Sequence, residues 1–240
     1  MPNNPSKAIL TPSSKHKAIS IQPLNEKSLA SWLKKATAWE KTWVKDNGFK
    51  ASLGEILIVP ARDGSLGQAL WGLGEASLPT SPWEYAKLPE NLPNGVYILP
   101  NNLGEKRALN AALGWSLAHY SFDNFKTEKA KSKAKLVQPN GLDKRKLKAL
   151  LEATILVRDL INTPTNFMSP SHLEEGAKEI AKKFKASFKV TTGNKLLEEN
   201  FPTIHAVGRA SEDEPRLIDI RWGKKTNPKV TLVGKVNLTF

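Results

Sequence analysis

Few residues in this chain have the chemistry of a reaction centre, and their spacing narrows the field further. There is no cysteine, which removes thiolate nucleophiles, thiolate metal sites and disulfides. The four histidines, His16, His119, His172 and His205, show no His-x-x-x-His or comparable ligand spacing, so each reads as a surface or packed histidine. The tightest carboxylate group, Glu212-Asp213-Glu214, lies between Ser211 and Pro215 in what reads as a solvated turn. Asp159 beside Arg158 at a predicted helix end reads as an ion pair or cap rather than a catalytic acid. Gly208 and Gly234 belong to no glycine-rich phosphate fingerprint. Asn237-Leu238-Thr239 is a formal glycosylation sequon without consequence in a cytoplasmic protein.

Composition sets the frame in which these groups must be held. The 240 residues are 40% hydrophobic and 25% charged, ordinary values for a soluble globular chain of one large or two modest domains. No apolar run approaches the roughly 20 residues of a membrane span. The first stretch has no continuous apolar signal region, so the expected location is the cytoplasm, with no membrane partner. Lys and Arg number 36 against 23 Asp and Glu, a net charge of +13 that favours non-specific attraction to nucleic acid. The densest basic run, Lys126 to Lys135, lacks interleaved aromatics and reads first as a solvated connection.

Strand and helix patterns alternate along the chain, which predicts an α/β architecture. Lys17 to Pro23 reads as a strand. Glu26 to Asn47 reads as one or two helices whose Trp32, Leu33, Trp39 and Trp43 belong to a core face. Glu55 to Val59 and Gln68 to Leu73 are strands that can pair across the turn-forming Asp63-Gly64. Gly95 to Leu99, a helix from Glu105 to Tyr120, and Lys135 to Gln138 complete a first domain, residues 1–141. A helix from Asp143, with Leu147, Leu150, Leu151, Thr154, Ile155 and Arg158 on one stripe, forms a bridging segment over 142–164. The remainder, 165–240, opens with a helix capped at Ser169-Pro170, or one step later by Ser171 and Glu174. It continues with strands at Ser187 to Thr192, Pro215 to Trp222 and Lys229 to Gly234, the last with a buried-strand pattern.

Four segments in this order and spacing resemble the leucyl (cytosol) aminopeptidases, two-metal exopeptidases of the bacterial type. They are Arg158-Asp-Leu-Ile-Asn-Thr-Pro-Thr-Asn166, His205-Ala-Val-Gly-Arg-Ala-Ser211, Pro215-Arg-Leu-Ile-Asp219 and Val230-Thr-Leu-Val-Gly-Lys235. The resemblance is specific from about Leu142 to Lys235, while the Trp-rich first half is similar to the divergent amino-terminal domain of bacterial members. It implies an amino-terminal α/β domain, a bridging helix and the incomplete beginning of an α/β catalytic domain. It also implies peptides with a free amino terminus as substrates, hexameric assembly and two divalent cations, manganese or zinc.

Two such cations activate a bridging water and polarise the scissile carbonyl. In the family, the strand ending in Val-Gly-Lys offers its lysine as a metal ligand, and a Gly-x-x-Phe-Asp segment then brings the first aspartate. Lys235 matches the lysine. The residues after it, Val236-Asn237-Leu238-Thr239-Phe240, do not match the aspartate segment. A lone lysine amine, protonated at neutral pH, holds no cation. The expectation is therefore a chain truncated at the start of its metal-binding motif, inactive alone, with a second half less stable than the first. A non-catalytic module that binds nucleic acid or protein through its first domain is the other function class consistent with the charge.

Overall fold

In the strand Ile19–Leu24, Ile19 and Ile21 share one face and Leu24 lies on the other, so it buries side chains on both faces inside a mixed sheet. The computed structural model describes residues 10–11, 18–126 and 134–236. They divide into two units, Met1–Leu156 and Val157–Phe240.

The first unit holds a six-stranded sheet in the order β1-β6-β5-β2-β4-β3. Its strands are β1 (Leu10–Thr11), β2 (Ile19–Leu24), β3 (Ile56–Pro60), β4 (Leu66–Gly72), β5 (Val96–Ile98) and β6 (Lys135–Val137). All neighbours run parallel except β3 and β4, which form the expected hairpin. Its turn depends on Gly64, whose φ of 80° suits glycine, and on Asp63, whose carboxylate accepts the Ser65 N–H at 3.0 Å. β4 sends Ala69 and Trp71 into one apolar cluster and Leu70 into another, so both faces of the sheet are covered here.

The Trp-rich segment forms two helices, α1 (Glu26–Lys35) and α2 (Ala38–Asp46), each opened by a capping box, at Asn25/Ser28 and Thr37/Glu40. Trp32, Leu33 and Trp43 pack against buried Leu29, Val44 and Leu70, as the stripe predicts. Trp39 is half exposed, its ring 5.3 Å from that of Trp43. The indole N–H groups of both donate to β3 carbonyls: Trp43 to Ile58 at 2.9 Å and Trp39 to Pro60 at 3.3 Å.

Two short helices that the sequence reading did not anticipate follow β4: α3 (Pro82–Ala86) and α4 (Leu88–Asn91). They pack on α5 (Gly104–Ala118), whose Trp115 is fully buried and donates its indole N–H to the Ala134 carbonyl at 2.9 Å. Gly114 of α5 is where the helices meet, since a Cβ there would collide with the Pro82 carbonyl oxygen. Tyr85 and Tyr97 are buried phenols donating to the carbonyls of Pro79 and Pro93, and desolvation pushes both up to about 12.

The long helix α6 (Lys144–Asn162) starts as predicted, with Asp143 accepting from the Lys146 N–H at 3.0 Å. Leu147 and Leu151 join Leu109, Ala112 and Leu117 of α5 in a third cluster. The division between the units falls within this helix.

The second unit contains α7 (Pro170–Phe184), β7 (Ser187–Thr192), α8 (Lys195–Glu198), α9 (Pro202–Gly208) and β8 (Arg216–Arg221). β7 and β8 pair antiparallel, with Val190 opposite Ile218. Among its described residues, Ala181 and Leu196 are the apolar side chains that become buried. The expected strand at Lys229 to Gly234 does not form: residues 228–236 adopt no regular element, and Leu232 and Val233 are each 93% exposed. A strand exists only as a partner in a ladder, and the backbone of 228–236 makes no backbone hydrogen bond among the described residues.

Candidate functional site

The family resemblance makes Lys235 the expected ligand position. It lies on the irregular segment after β8 and is exposed. Among the described residues, no three His, Cys, Asp or Glu side chains come together in a way that could hold a metal ion. One amine nitrogen does not make a two-cation site, so the described donor set does not fit such a centre.

The densest polar constellation is elsewhere in the second unit, where β8 meets the start of α7. Arg216 opens β8, and its side chain is only 15% exposed. Its Nε donates to Glu174 Oε2 at 2.6 Å, and its Nη1 donates to the Asp213 carboxylate and to the Glu214 carbonyl oxygen. Asp213 also accepts from the Ser171 N–H at 2.8 Å. Ser169 caps α7, with Pro170 in the first turn, as predicted. The partner in the cap is His172 rather than the Ser171/Glu174 pair: the Ser169 N–H donates to His172 Nδ1 at 3.3 Å, and Ser169 Oγ lies 2.8 Å from the same nitrogen. Glu174 is turned instead toward Arg216.

The electrostatics follow from these bonds. Burial works to raise the Asp213 carboxyl, but donors from Ser169, Ser171 and Arg216 outweigh it and hold the group well below the usual carboxylate range. Burial likewise opposes the charge on Arg216, and the hydrogen bonds and charges of Asp213 and Glu174 more than restore it. A carboxylate fixed in its ionised form and saturated with donors is a poor proton shuttle. It is an effective clamp, joining the amino-terminal end of α7 to the start of β8.

The reading of Glu212-Asp213-Glu214 as a solvated turn is thus corrected at Asp213. The signal that could have found it is Arg216, three residues on, which sits at the mouth of a predicted strand. Gly208 has a packing reason: a Cβ there would press on the Pro215 ring. His119 Nδ1 lies 2.8 Å from the Trp115 carbonyl and His205 lies on α9, and neither belongs to a group of three or more possible metal ligands among the described residues. The Asp159 carbonyl accepts from Thr163 at the end of α6. His16 and the sequon at Asn237 fall outside the described residues.

Comparison with known proteins supplies what geometry alone does not. Residues 19–139 match the family described as M17 aminopeptidase, N-terminal domain, and residues 155–240 match the cytosol aminopeptidase family, catalytic domain. A probable cytosol aminopeptidase of Aquifex aeolicus (strain VF5) is 29% identical over 211 residues, covering 80% of this chain and 42% of that protein. One from Clostridium perfringens is 32% identical over 156 residues, 58% of this chain and 31% of the relative. The crystal structure of cytosol aminopeptidase from Coxiella burnetii superposes with a TM-score of 0.79 at 32% identity, covering 91% of this chain and 47% of that one. The bottromycin maturation enzyme BotP in complex with Mn shares the fold, with a TM-score of 0.64 at 22% identity over 86% of this chain and 45% of its own. The chain thus spans less than half the length of these relatives.

Proposed function

Since the chain belongs to the M17, or cytosol, aminopeptidase family, we propose that it serves a leucyl aminopeptidase, a metal-dependent hydrolase that releases amino-terminal residues from peptides. The observation that carries this reading is the adjoining pair of family matches in the family's own order, amino-terminal domain and then catalytic domain. In this reading 1–141 is the amino-terminal domain, 142–164 the bridging helix and 165–240 the start of the catalytic domain. Lys235 is the metal-ligand position these residues contribute. The cations, manganese or zinc, supply an activated water and a polarised carbonyl when bound. The Mn complex of BotP supports manganese. Hexameric assembly and a cytoplasmic location accompany the same reading.

The test is hydrolysis of a leucine amide substrate with added manganese or zinc and a chelator control. A polypeptide of these 240 residues is expected to show no chelator-sensitive turnover. Fused to the remaining part of the Coxiella burnetii enzyme, it is expected to gain it, and Lys235→Ala in that fusion to lose roughly 100-fold or more. Chelator-sensitive turnover by the 240 residues alone would overturn the assignment of most ligands to other sequence. An active fusion indifferent to Lys235→Ala would remove that residue from the site.

A second reading, a module contacting nucleic acid, is favoured by the first turn of α6. There Lys144, Arg145 and Lys146 are exposed with no acidic residue in the turn. Its mark would be binding that weakens steeply with salt.

A further inference from the structure

The two helices that bury the tryptophan stripe carry a different chemistry on their outer sides. Leu29, Val44 and the rings of Trp32 and Trp43 pack in the cluster around Leu70, so the opposite sides of α1 and α2 stand in water. Lys27, Lys34 and Lys35 of α1 and Lys41 and Lys45 of α2 are exposed, and among the described residues none of them forms an ion pair. The exposed carboxylates of these helices are Glu26 at the start of α1 and Asp46 at the end of α2. Glu40, between them, is engaged by Thr37 and by the Gln68 side chain. Lys27 and Lys34 share a stripe, and Lys41 and Lys45 lie one turn apart, about 5–6 Å between Cβ atoms.

α2 also exposes Trp39, the one large apolar side chain exposed on the two helices, at 40%. Its indole N–H bond to the Pro60 carbonyl and its ring contact with Trp43 fix it in place, with part of the ring open to water. The basic run at Lys126 to Lys135 has charge without an aromatic, whereas α1 and α2 have both. We infer that the outer side of α1 and α2 binds single-stranded nucleic acid, its lysines holding phosphates and Trp39 stacking on an unpaired base. The inference is independent of the aminopeptidase reading. It rests on the nucleic-acid reading for its class of partner, and places the contact here rather than at the first turn of α6. A duplex keeps its bases stacked and gives an indole no base face, so the exposed ring favours a single strand. Trp39 has no exposed apolar neighbour on these helices to enter a bilayer with it, which disfavours an anionic membrane.

The experiment titrates the full 240-residue chain against a fluorescein-labelled single-stranded oligothymidine of about 20 nucleotides, longer than one footprint. Anisotropy is read at several salt concentrations. Binding is expected to weaken steeply with salt, and Lys34→Gln, Lys41→Gln and Lys45→Gln together to lower the logarithmic salt slope by about 2. Trp39→Ala is expected to weaken binding about tenfold or more, and Trp39→Phe to recover most of it, because a phenyl ring still stacks. Both substitutions lose the bond to Pro60, so a merely structural role would make them equal. A duplex of the same length and phosphatidylglycerol vesicles are expected to bind more weakly than the single strand. Absence of binding to the single strand, tighter binding to the duplex or the vesicles, or a Trp39→Phe chain as weak as Trp39→Ala would each overturn the inference. Binding that ignores the α1 and α2 substitutions but is lost with Lys144→Gln, Arg145→Gln and Lys146→Gln would also overturn it, while upholding the nucleic-acid reading at α6.

Discussion

Arg216 shows how a single side chain can organise a region without taking part in chemistry. Its guanidinium satisfies Glu174, Asp213 and a backbone carbonyl at once, so removing it would strand two carboxylates that are each largely shielded from water. Arg216→Met is expected to destabilise the second unit by about 2 kcal/mol, measured by denaturant unfolding. The Asp213 carboxyl is held below its unfolded value of about 3.9, so its contribution is fully present above that pH. It is lost as pH falls through the lower folded value. Stability should therefore be flat in this respect above about pH 5 and decline below about pH 4, and Asp213→Asn should flatten the acid limb. An unchanged limb in that variant would remove Asp213 from the account. The clamp was not legible in the sequence because a charged triplet before a proline has the composition of a solvated turn. What buries Asp213 is the approach of α7, a long-range fact absent from local pattern. Lys235 was legible only through family resemblance, since nothing in its own surroundings marks it as a ligand.

Among the elements, periodicity carried most of the information. The hairpin across Asp63-Gly64, both Trp-bearing helices, α5, α6 and α7 stand where apolar spacing and capping residues put them. The short helices α3, α4, α8 and α9 were missed because fewer than three turns show too little periodicity. Pro82, Pro89 and Pro202 were the available signals for α3, α4 and α9, and α8 has none of this kind. The strand expected at Lys229 to Gly234 failed for the opposite reason: its pattern is strong, but a strand requires a neighbour. Gly114 tests how tightly the elements fit. Alanine gains about 1 kcal/mol of helix propensity over glycine. Overpacking against the Pro82 carbonyl costs about 1–3 kcal/mol. Gly114→Ala should thus be net destabilising, by about 1 kcal/mol, with the melting temperature falling. A rise would mean that α3 yields freely.

At the scale of the whole molecule, the two units differ in how much core they own. The first is built on three apolar clusters, whereas the second buries Ala181 and Leu196 and leaves Trp222, Leu232 and Val233 in water. Amide exchange on the full chain should find β2, β4 and α5 strongly protected, and β7 and β8 exchanging at least about 100-fold faster. Equal protection in both units would show that local hydrogen bonding compensates for the thin core. The indoles of Trp39 and Trp43, bonded to the outward carbonyls of β3, bear on a different hazard. Acceptors already engaged by a side chain, with its indole ring lying against them, are less available to a strand from another molecule, and Pro60 has no N–H to give. The β3 side of this sheet is therefore a poor template for growth into a fibril, even when the chain is crowded among its own copies.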